Sequence, residues 1–381
     1  MKQIIKVALL CMALAGLLTG CSAGDLALQR EKNAGQGEQV VIGVPVPLEF
    51  ARNNTNFLNG IDLALEEINS TGVNGKKVEL EIVDDQGNFK AAVDIAQEFS
   101  KNSRMLAVIG HWFSDICIPV SNIYEEAGML TMVPTVSNPG LTEKGYQYIF
   151  QSIVNDKKIA REIADYAKSM GYKQVVVYYE ESSYGINLAD AIEEEALAGG
   201  LKVVDRRSGL ATAEQFEAAH DKWQALEFDA VLLALNMPEG ANFIRQLRKM
   251  DGTAGIIAAD GLDVGNFIEE LGSDAEGVVI TTTYSPNMYN SELESFRRKY
   301  QEKYAGEPDV WAIQGYEALQ FIVQAMRQTK SFSPAVLADY LHDMAPLPTI
   351  LGKVNFNEDG EVEGRKIYKK TVNHGVFEYM D

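Results

Sequence analysis

Residues 105–133, MLAVIGHWFSDICIPVSNIYEEAGMLTMV, set the pattern for the whole chain. Met105–Ile109 is an apolar run of strand length, 115–127 has helical spacing, and 129–133 is a second apolar run. A buried strand, a helix and another buried strand in that order make a βαβ unit, with parallel strands and the helix on one face. The alternation continues upstream. Val40–Val46 reads as a strand, Phe57, Ile61, Leu65 and Ile68 share one helical face, Val78, Leu80 and Ile82 alternate with Glu79 and Glu81, and 89–101 reads as a helix.

Downstream a second series begins near Asp156, with Ile159, Ile163, Ala167 and Met170 on one helix face before the run Val175–Tyr179. Helices at about 185–198, 212–226, 239–250 and 263–271 alternate with strands near 201–205, 229–235, 255–259 and 277–283. The tail holds helices near 291–304, 310–328 and 334–343, then short strands around 350–356 and 366–379. This predicts an α/β chain with two doubly wound sheets. One sheet of so many strands is large for a compact unit, whereas two lobes of about 100–150 residues are ordinary.

The 381 residues are 46% hydrophobic and 23% charged, which describes a globular chain with a sizeable core and excludes a disordered or fibrous one. Acidic residues outnumber basic ones 54 to 34, and a net charge of −20 is the wrong sign for gripping phosphate backbones. No nucleic-acid partner is expected. His111, His220, His342 and His374 lack the close spacings of zinc sites, so neither a metal nor a cofactor is expected.

At the N-terminus, Lys2 and Lys6 precede an apolar run from Val7 to Leu18 that is too short to cross a bilayer, and residues 1–20 read as an export signal. The closing Leu18-Thr19-Gly20-Cys21 resembles the bacterial lipobox, whose cysteine is lipidated on its thiol and becomes the new N-terminus; an ordinary secretory signal with a chance cysteine is the alternative. Removing residues 1–20 leaves 361 residues with a net charge of −22 and Cys117 as the sole unmodified thiol, so no internal disulfide is expected. Residues 21–38 are small and polar without periodicity, and read as a flexible tether between a lipid anchor and the folded body.

Open α/β sheets bind ligands outside the carboxyl ends of their strands, so the loops that follow the strands carry the functional signal. After Met105–Gly110 comes His-Trp-Phe-Ser-Asp, after Leu130–Val133 comes Pro-Thr-Val-Ser-Asn-Pro, and after Val175–Tyr179 comes Glu-Glu-Ser-Ser-Tyr-Gly. Ser114 stands where a helix begins. Its hydroxyl and the free first-turn N–H groups suit a carboxylate, although a plain N-cap has the same signature. Asp260, beside Gly261 after a buried strand, suits an ammonium or else caps the helix expected near Asp263.

In order and spacing, residues 110–150, GHWFSDICIPVSNIYEEAGMLTMVPTVSNPGLTEKGYQYIF, closely resemble the corresponding stretch of the leucine/isoleucine/valine-binding proteins, type I periplasmic substrate-binding proteins of ABC importers. Supporting segments are Ile42-Gly43-Val44, Asn59-Gly60-Ile61, Val83-Asp84-Asp85, Ser183-Tyr184-Gly185, Asn236-Met237-Pro238-Glu239 and Tyr316-Glu317-Ala318-Leu319-Gln320. The resemblance implies two α/β lobes joined by a three-segment hinge, with the ligand enclosed between them by hinge closure. Lobe 1 would comprise 39–154 and 286–362, and lobe 2 would comprise 155–285 and 363–381.

The same resemblance assigns Ser114 to the ligand carboxylate, Thr135 and Ser137 to the amino acid head group, Asp260 to the α-ammonium, and Tyr184 to closing the pocket. Departures from the family pattern concern the rest of the pocket. The family's two disulfide cysteines correspond to Gly87 and Phe113, a lobe 2 aromatic to Asn236, an aliphatic position to Trp112 and a phenylalanine to Trp311. Glu49, Arg52 and Asn53 occupy the loop after the first strand; Arg52 would meet an acidic group on the ligand or be a solvated loop residue.

The implied function is that of an extracytoplasmic, lipid-anchored solute receptor, monomeric, that captures an amino acid or similar small carboxylate and presents it to ABC permease subunits. A ligand sensor on the same fold is the alternative. An enzyme is not expected: there is no P-loop, no GxGxxG after a strand, no HExxH and no GxSxG elbow. Cys117, in Ile-Cys-Ile-Pro on a helix, reads as a core residue, and Glu193-Glu194-Glu195 as a solvated face.

Overall fold

The computed structural model describes residues 23–288 and 290–380; the export signal and Cys21 lie outside the described residues. Fifteen strands are distributed over three sheets among these residues. The first is wholly parallel, in the order β2 (Lys77–Asp84), β1 (Gln39–Val46), β3 (Met105–Ile109), β4 (Leu130–Val133), β5 (Ile149–Gln151). The second runs β15 (Val376–Met380), β14 (Tyr368–Asn373), β10 (Val279–Thr282), β9 (Gly255–Ala258), β8 (Ala230–Ala234), β6 (Gln174–Tyr179), β7 (Lys202–Arg207). It is parallel except for β14 and β15, which pair antiparallel at its edge. A small antiparallel sheet of β11 (Leu347–Thr349), β12 (Gly352–Phe356) and β13 (Val362–Glu363) joins β5 through a Gln151–Glu361 bridge.

The continuous apolar runs became central strands. Every residue of β3, β4 and β8 is buried, as expected for parallel strands covered by helices on both faces. The chain passes between the first two sheets three times, after Gln151, after Thr282 and after Glu363, which makes two lobes with a three-strand connection. Arg365 binds the first and third of these passages to each other and to the helix Val310–Thr329: its Nε donates to the Ser152 carbonyl at 3.0 Å and its Nη2 to Glu317 Oε2 at 2.6 Å, all in the interior. The apolar core is continuous through this region, because Val40 and Ile42 of the first sheet belong to the same buried cluster as Val175 and Val177 of the second.

Lobe 1 gains its rigidity from a close helix crossing. The helices Phe57–Thr71 and Val310–Thr329 approach so tightly at Gly60 that a Cβ there would lie 1.8 Å from the Ala312 carbonyl oxygen.

Two expectations about local structure are corrected. Residues 23–36 form a helix rather than part of a flexible tether. Arg30, fully buried, explains it: its guanidinium donates to the carbonyls of Ala127, at 2.6 Å, and Ser100, at the C-terminal ends of the helices Ser114–Glu126 and Phe89–Lys101. Helix ends leave such carbonyls without intrahelical partners, and a cation there also meets the negative end of the dipole. Further on, the helix expected over 263–271 is a 3₁₀ turn at Asp260–Leu262 followed by a short helix at Phe267–Leu271.

Candidate functional site

The carboxyl ends of β3, β4, β6, β8 and β9 all open on one cleft between the lobes, about 800 Å³ in volume. That lies within the roughly 300–1,000 Å³ usual for small-molecule sites. Of the ten ligand-binding residues expected from the sequence, nine line it: Trp112, Phe113, Ser114, Thr135, Ser137, Tyr184, Asn236, Asp260 and Trp311. Arg52 does not. Residues 48–54 are helical, and the periodicity turns Phe50 into the cleft while Glu49, Arg52 and Asn53 are exposed.

The loop after β3 is fixed from behind. His111 is fully buried, with Nδ1 2.7 Å from Asp85 Oδ2 and Nε2 3.1 Å from the Tyr124 hydroxyl. From the other side the Thr135 hydroxyl donates to the carbonyls of His111 and Trp112, at 3.2 and 3.1 Å. This hydroxyl therefore orders the loop, and its oxygen lone pairs remain free to accept. Ser114 is the first residue of its helix, and the capping position belongs to Phe113, which has no side-chain cap. Its hydroxyl sits beside first-turn N–H groups that lack intrahelical partners, an arrangement suited to an anion.

An aromatic wall surrounds this anion-binding corner. Trp112 packs edge-on against Phe57 at 5.2 Å and Phe50 at 5.5 Å, and lies 5.2 Å from Trp311. Phe50 also meets Phe113, whose ring passes 3.2 Å from where a Cβ on Gly87 would stand. The two positions that correspond to the family's disulfide are thus adjacent, joined here by packing; Cys117 is a free, buried cysteine.

The opposite wall, from lobe 2, carries the acid. Asp260 is buried, and its Oδ1 accepts the Tyr184 hydroxyl at 3.1 Å, while that hydroxyl accepts the Gly261 N–H at 3.1 Å. Gly261 is required for this approach, since a Cβ there would fall 2.8 Å from the Tyr184 oxygen and 2.5 Å from the Leu235 carbonyl. Burial pushes the Asp260 carboxyl up to about 6, against the bond from Tyr184. Asp260 does not cap a helix. Its carboxyl lines the cleft, bonded to the Tyr184 phenol.

Sequence reasoning passed over four further residues. Glu180 Oε2 accepts the Asn236 N–H at 2.7 Å, and Oε1 accepts Asn236 Nδ2 at 2.9 Å and Ser182 Oγ at 2.6 Å, so Asn236 acts by holding this carboxylate in the cleft wall. Asp115 and Glu239 also line the cleft. Asp156, fully buried, lies just behind it, its N–H bonded to the Ser137 carbonyl at 2.9 Å. Neither oxygen of its carboxyl has a hydrogen-bond partner in good geometry, the Ser137 side chain being the nearby polar group. Burial pushes that carboxyl to about 8, with Ser137 opposing and the Asp260 charge adding. All four stand at strand ends or helix starts, the one signal that would have found them.

Nothing in the cleft is arranged for covalent chemistry. The Cys117 thiol is pushed up to about 12 by burial, far from a nucleophile. Among the described residues there is no metal-holding group of His, Cys, Asp or Glu, and no helix long and apolar enough to cross a membrane.

Comparison with known proteins gives the same picture. The family model described as periplasmic binding protein matches residues 39–369. An amino acid binding protein of Pseudomonas aeruginosa is 28% identical, the match covering 100% of this chain and 97% of that one. A Leu/Ile/Val-binding protein homologue of Brucella abortus is also 28% identical, over 87% of this chain and 89% of its own. Among solved structures, an ABC transporter substrate-binding protein of Desulfitobacterium hafniense in complex with Leu superposes with a TM-score of 0.82 at 32% identity, covering 90% of this chain and 100% of that one. A leucine binding protein of Thermotoga maritima gives a TM-score of 0.82 at 26% identity, over 90% and 98% of the two chains. The chain belongs to the leucine/isoleucine/valine-binding family of type I periplasmic binding proteins, solute receptors rather than enzymes.

Proposed function

We propose that this chain is the extracytoplasmic solute-binding lipoprotein of an ABC importer and captures an amino acid between its lobes. The observation that carries the reading is the division of the cleft. Hydroxyls and a helix start lie on the lobe 1 side, at Ser114, Thr135 and Ser137, and a buried carboxylate lies on the lobe 2 side, at Asp260. A zwitterion placed between them satisfies both only when the lobes are together, so binding shifts the hinge toward the closed state by its differential affinity. Relatives named for amino acid and Leu/Ile/Val binding support the head-group assignment. The lipobox-like Leu18-Thr19-Gly20-Cys21 supports anchoring through lipid, with permease subunits as the partners that receive the ligand.

Mass spectrometry of the small molecule that co-purifies, followed by calorimetry with amino acids and with carboxylates lacking an amino group, tests the reading. Binding of zwitterions, recovered unchanged, is the expected result. Binding of simple anions alone would show that Asp260 does not receive an ammonium.

A further inference from the structure

We propose that the cleft continues past the head group into a subsite for a cationic side chain, so that the ligand is an amino acid ending in an amino or guanidino group rather than in branched hydrocarbon. This rests on the amino acid reading above and concerns the same cleft. Three observations lead to it.

The first is the charge of the walls. Asp115, Glu180, Glu181, Glu239 and Asp260 line the cleft, and no lysine, arginine or histidine does. Nearby cations are already engaged: Arg206 pairs with Asp190 and Glu193 and lies over the Tyr179 ring, and Arg207 pairs with Asp205. A neutral aliphatic chain laid along these carboxylates strips their water and returns no partner, which is unfavourable; a cation pairs with them.

The second is spacing. The strand order β9-β8-β6-β7 places the loop of Glu180 and Glu181 two strands from that of Asp260, about 10 Å at the usual strand separation. A lysine or arginine side chain carries its charge about 6 Å beyond Cα. The long side chains of Glu181, whose Oε1 accepts the Ser208 hydroxyl at 2.8 Å, and of exposed Glu239 cover the remainder. Glu180 is already fixed by Asn236 and Ser182, a preorganised carboxylate on this loop.

The third is an aromatic cluster in the same cleft. Tyr178, Phe216 and Phe243 line the cleft, with the Tyr178 and Phe243 rings stacked 4.1 Å apart. Aromatic ring edges at the cleft suit a methylene stem.

Calorimetry on the full mature chain with L-lysine, L-arginine, L-norleucine, L-leucine and L-glutamate tests this. Norleucine is lysine without its terminal ammonium, so the pair isolates the subsite. Lysine or arginine binding at least tenfold tighter than norleucine is expected, with the gap narrowing as salt is raised. Glu181→Gln and Glu239→Gln, both at exposed positions, should weaken the cation at least threefold each and leave norleucine unchanged. Norleucine or leucine binding as tightly as lysine overturns the subsite and leaves the amino acid reading standing. Binding by none of the five overturns both.

Discussion

The Asp115 carboxylate of lobe 1 accepts the backbone N–H of Ser183 in lobe 2 at 2.9 Å, together with the Ser183 hydroxyl. Each residue lies in the first turn of its helix, where the N–H of Ser183 has no intrahelical partner and an acid is favoured. Asn138 Nδ2, also from lobe 1, donates to the Ser183 carbonyl at 2.9 Å. One residue of lobe 2 is therefore held by both its backbone groups across the mouth of the cleft. Asp115→Ala should favour the open hinge, weakening the ligand roughly three- to tenfold, mostly through faster release. Small-angle scattering of the unliganded variant should show a larger radius of gyration. An unchanged affinity and radius would mean that Ser183 does not latch the lobes.

Asp260→Asn keeps the shape of the head-group site and removes its charge. Leaving a desolvated ammonium unpaired should cost a zwitterionic ligand about 2–5 kcal/mol. The pH dependence follows from the carboxyl at about 6 in the unliganded cleft. Below that pH the acid is protonated and must release its proton before it can pair with the ammonium, so affinity should fall by up to about tenfold per pH unit. Titrations between pH 4.5 and 8 should show this loss in the native chain and a flat profile in Asp260→Asn.

Asp156 links pH to stability in the opposite direction. Its folded-state carboxyl, at about 8, holds its proton more tightly than the ordinary value of 3.8 that applies to the unfolded chain. Its stabilising contribution is complete below about pH 4 and is lost as pH rises through 8. Asp156→Asn has no proton to lose, so its stability relative to the native chain should rise across that window, by at most about 1.4 kcal/mol per pH unit. Urea midpoints for both proteins at pH 5 to 8 measure this, and parallel curves would show that the carboxyl is ionised throughout.

Tryptophan emission should report occupancy. The chain has three tryptophans, of which Trp112 and Trp311 line the cleft while Trp223 is fully buried elsewhere, its Nε1 donating to Asp205. A ligand titration should shift the emission, and Trp112→Phe or Trp311→Phe should remove part of the change. Trp311→Phe also loses the Nε1 bond to the Asp263 carbonyl, 2.6 Å across the lobes, and should bind more weakly. A signal that survives both substitutions would place the ligand away from this wall.

Cys21→Ser should move the protein from the membrane fraction to the soluble fraction without altering ligand affinity. Retention in the membrane would show that lipid on Cys21 is not the anchor.

The sheets were legible because burial on both faces forces strands such as Val175–Tyr179 to be apolar throughout, and amphipathic helices such as 89–101 to repeat with helical spacing. The helix Ala23–Gln36 was not, since its support comes from residues far away in sequence: Arg30 and Asn33 donate to the carbonyls of Ala127 and Ser103, and Ala34 joins the core. Arg52 failed for a related reason. A loop read from its position after a strand became a helical turn, and the turn decided that Phe50 faces the cleft.

What the sequence by itself determined is the alternation of elements, the acidity, and the presence of hydroxyls, aromatics and one aspartate at strand ends, because these are local properties of composition and spacing. The tertiary structure alone decided which strand ends share a cleft, that Asp260 is bonded to Tyr184, and that Asp156 is sealed behind Ser137. Distance and desolvation set those properties, and both arise only when segments remote in the chain are brought together.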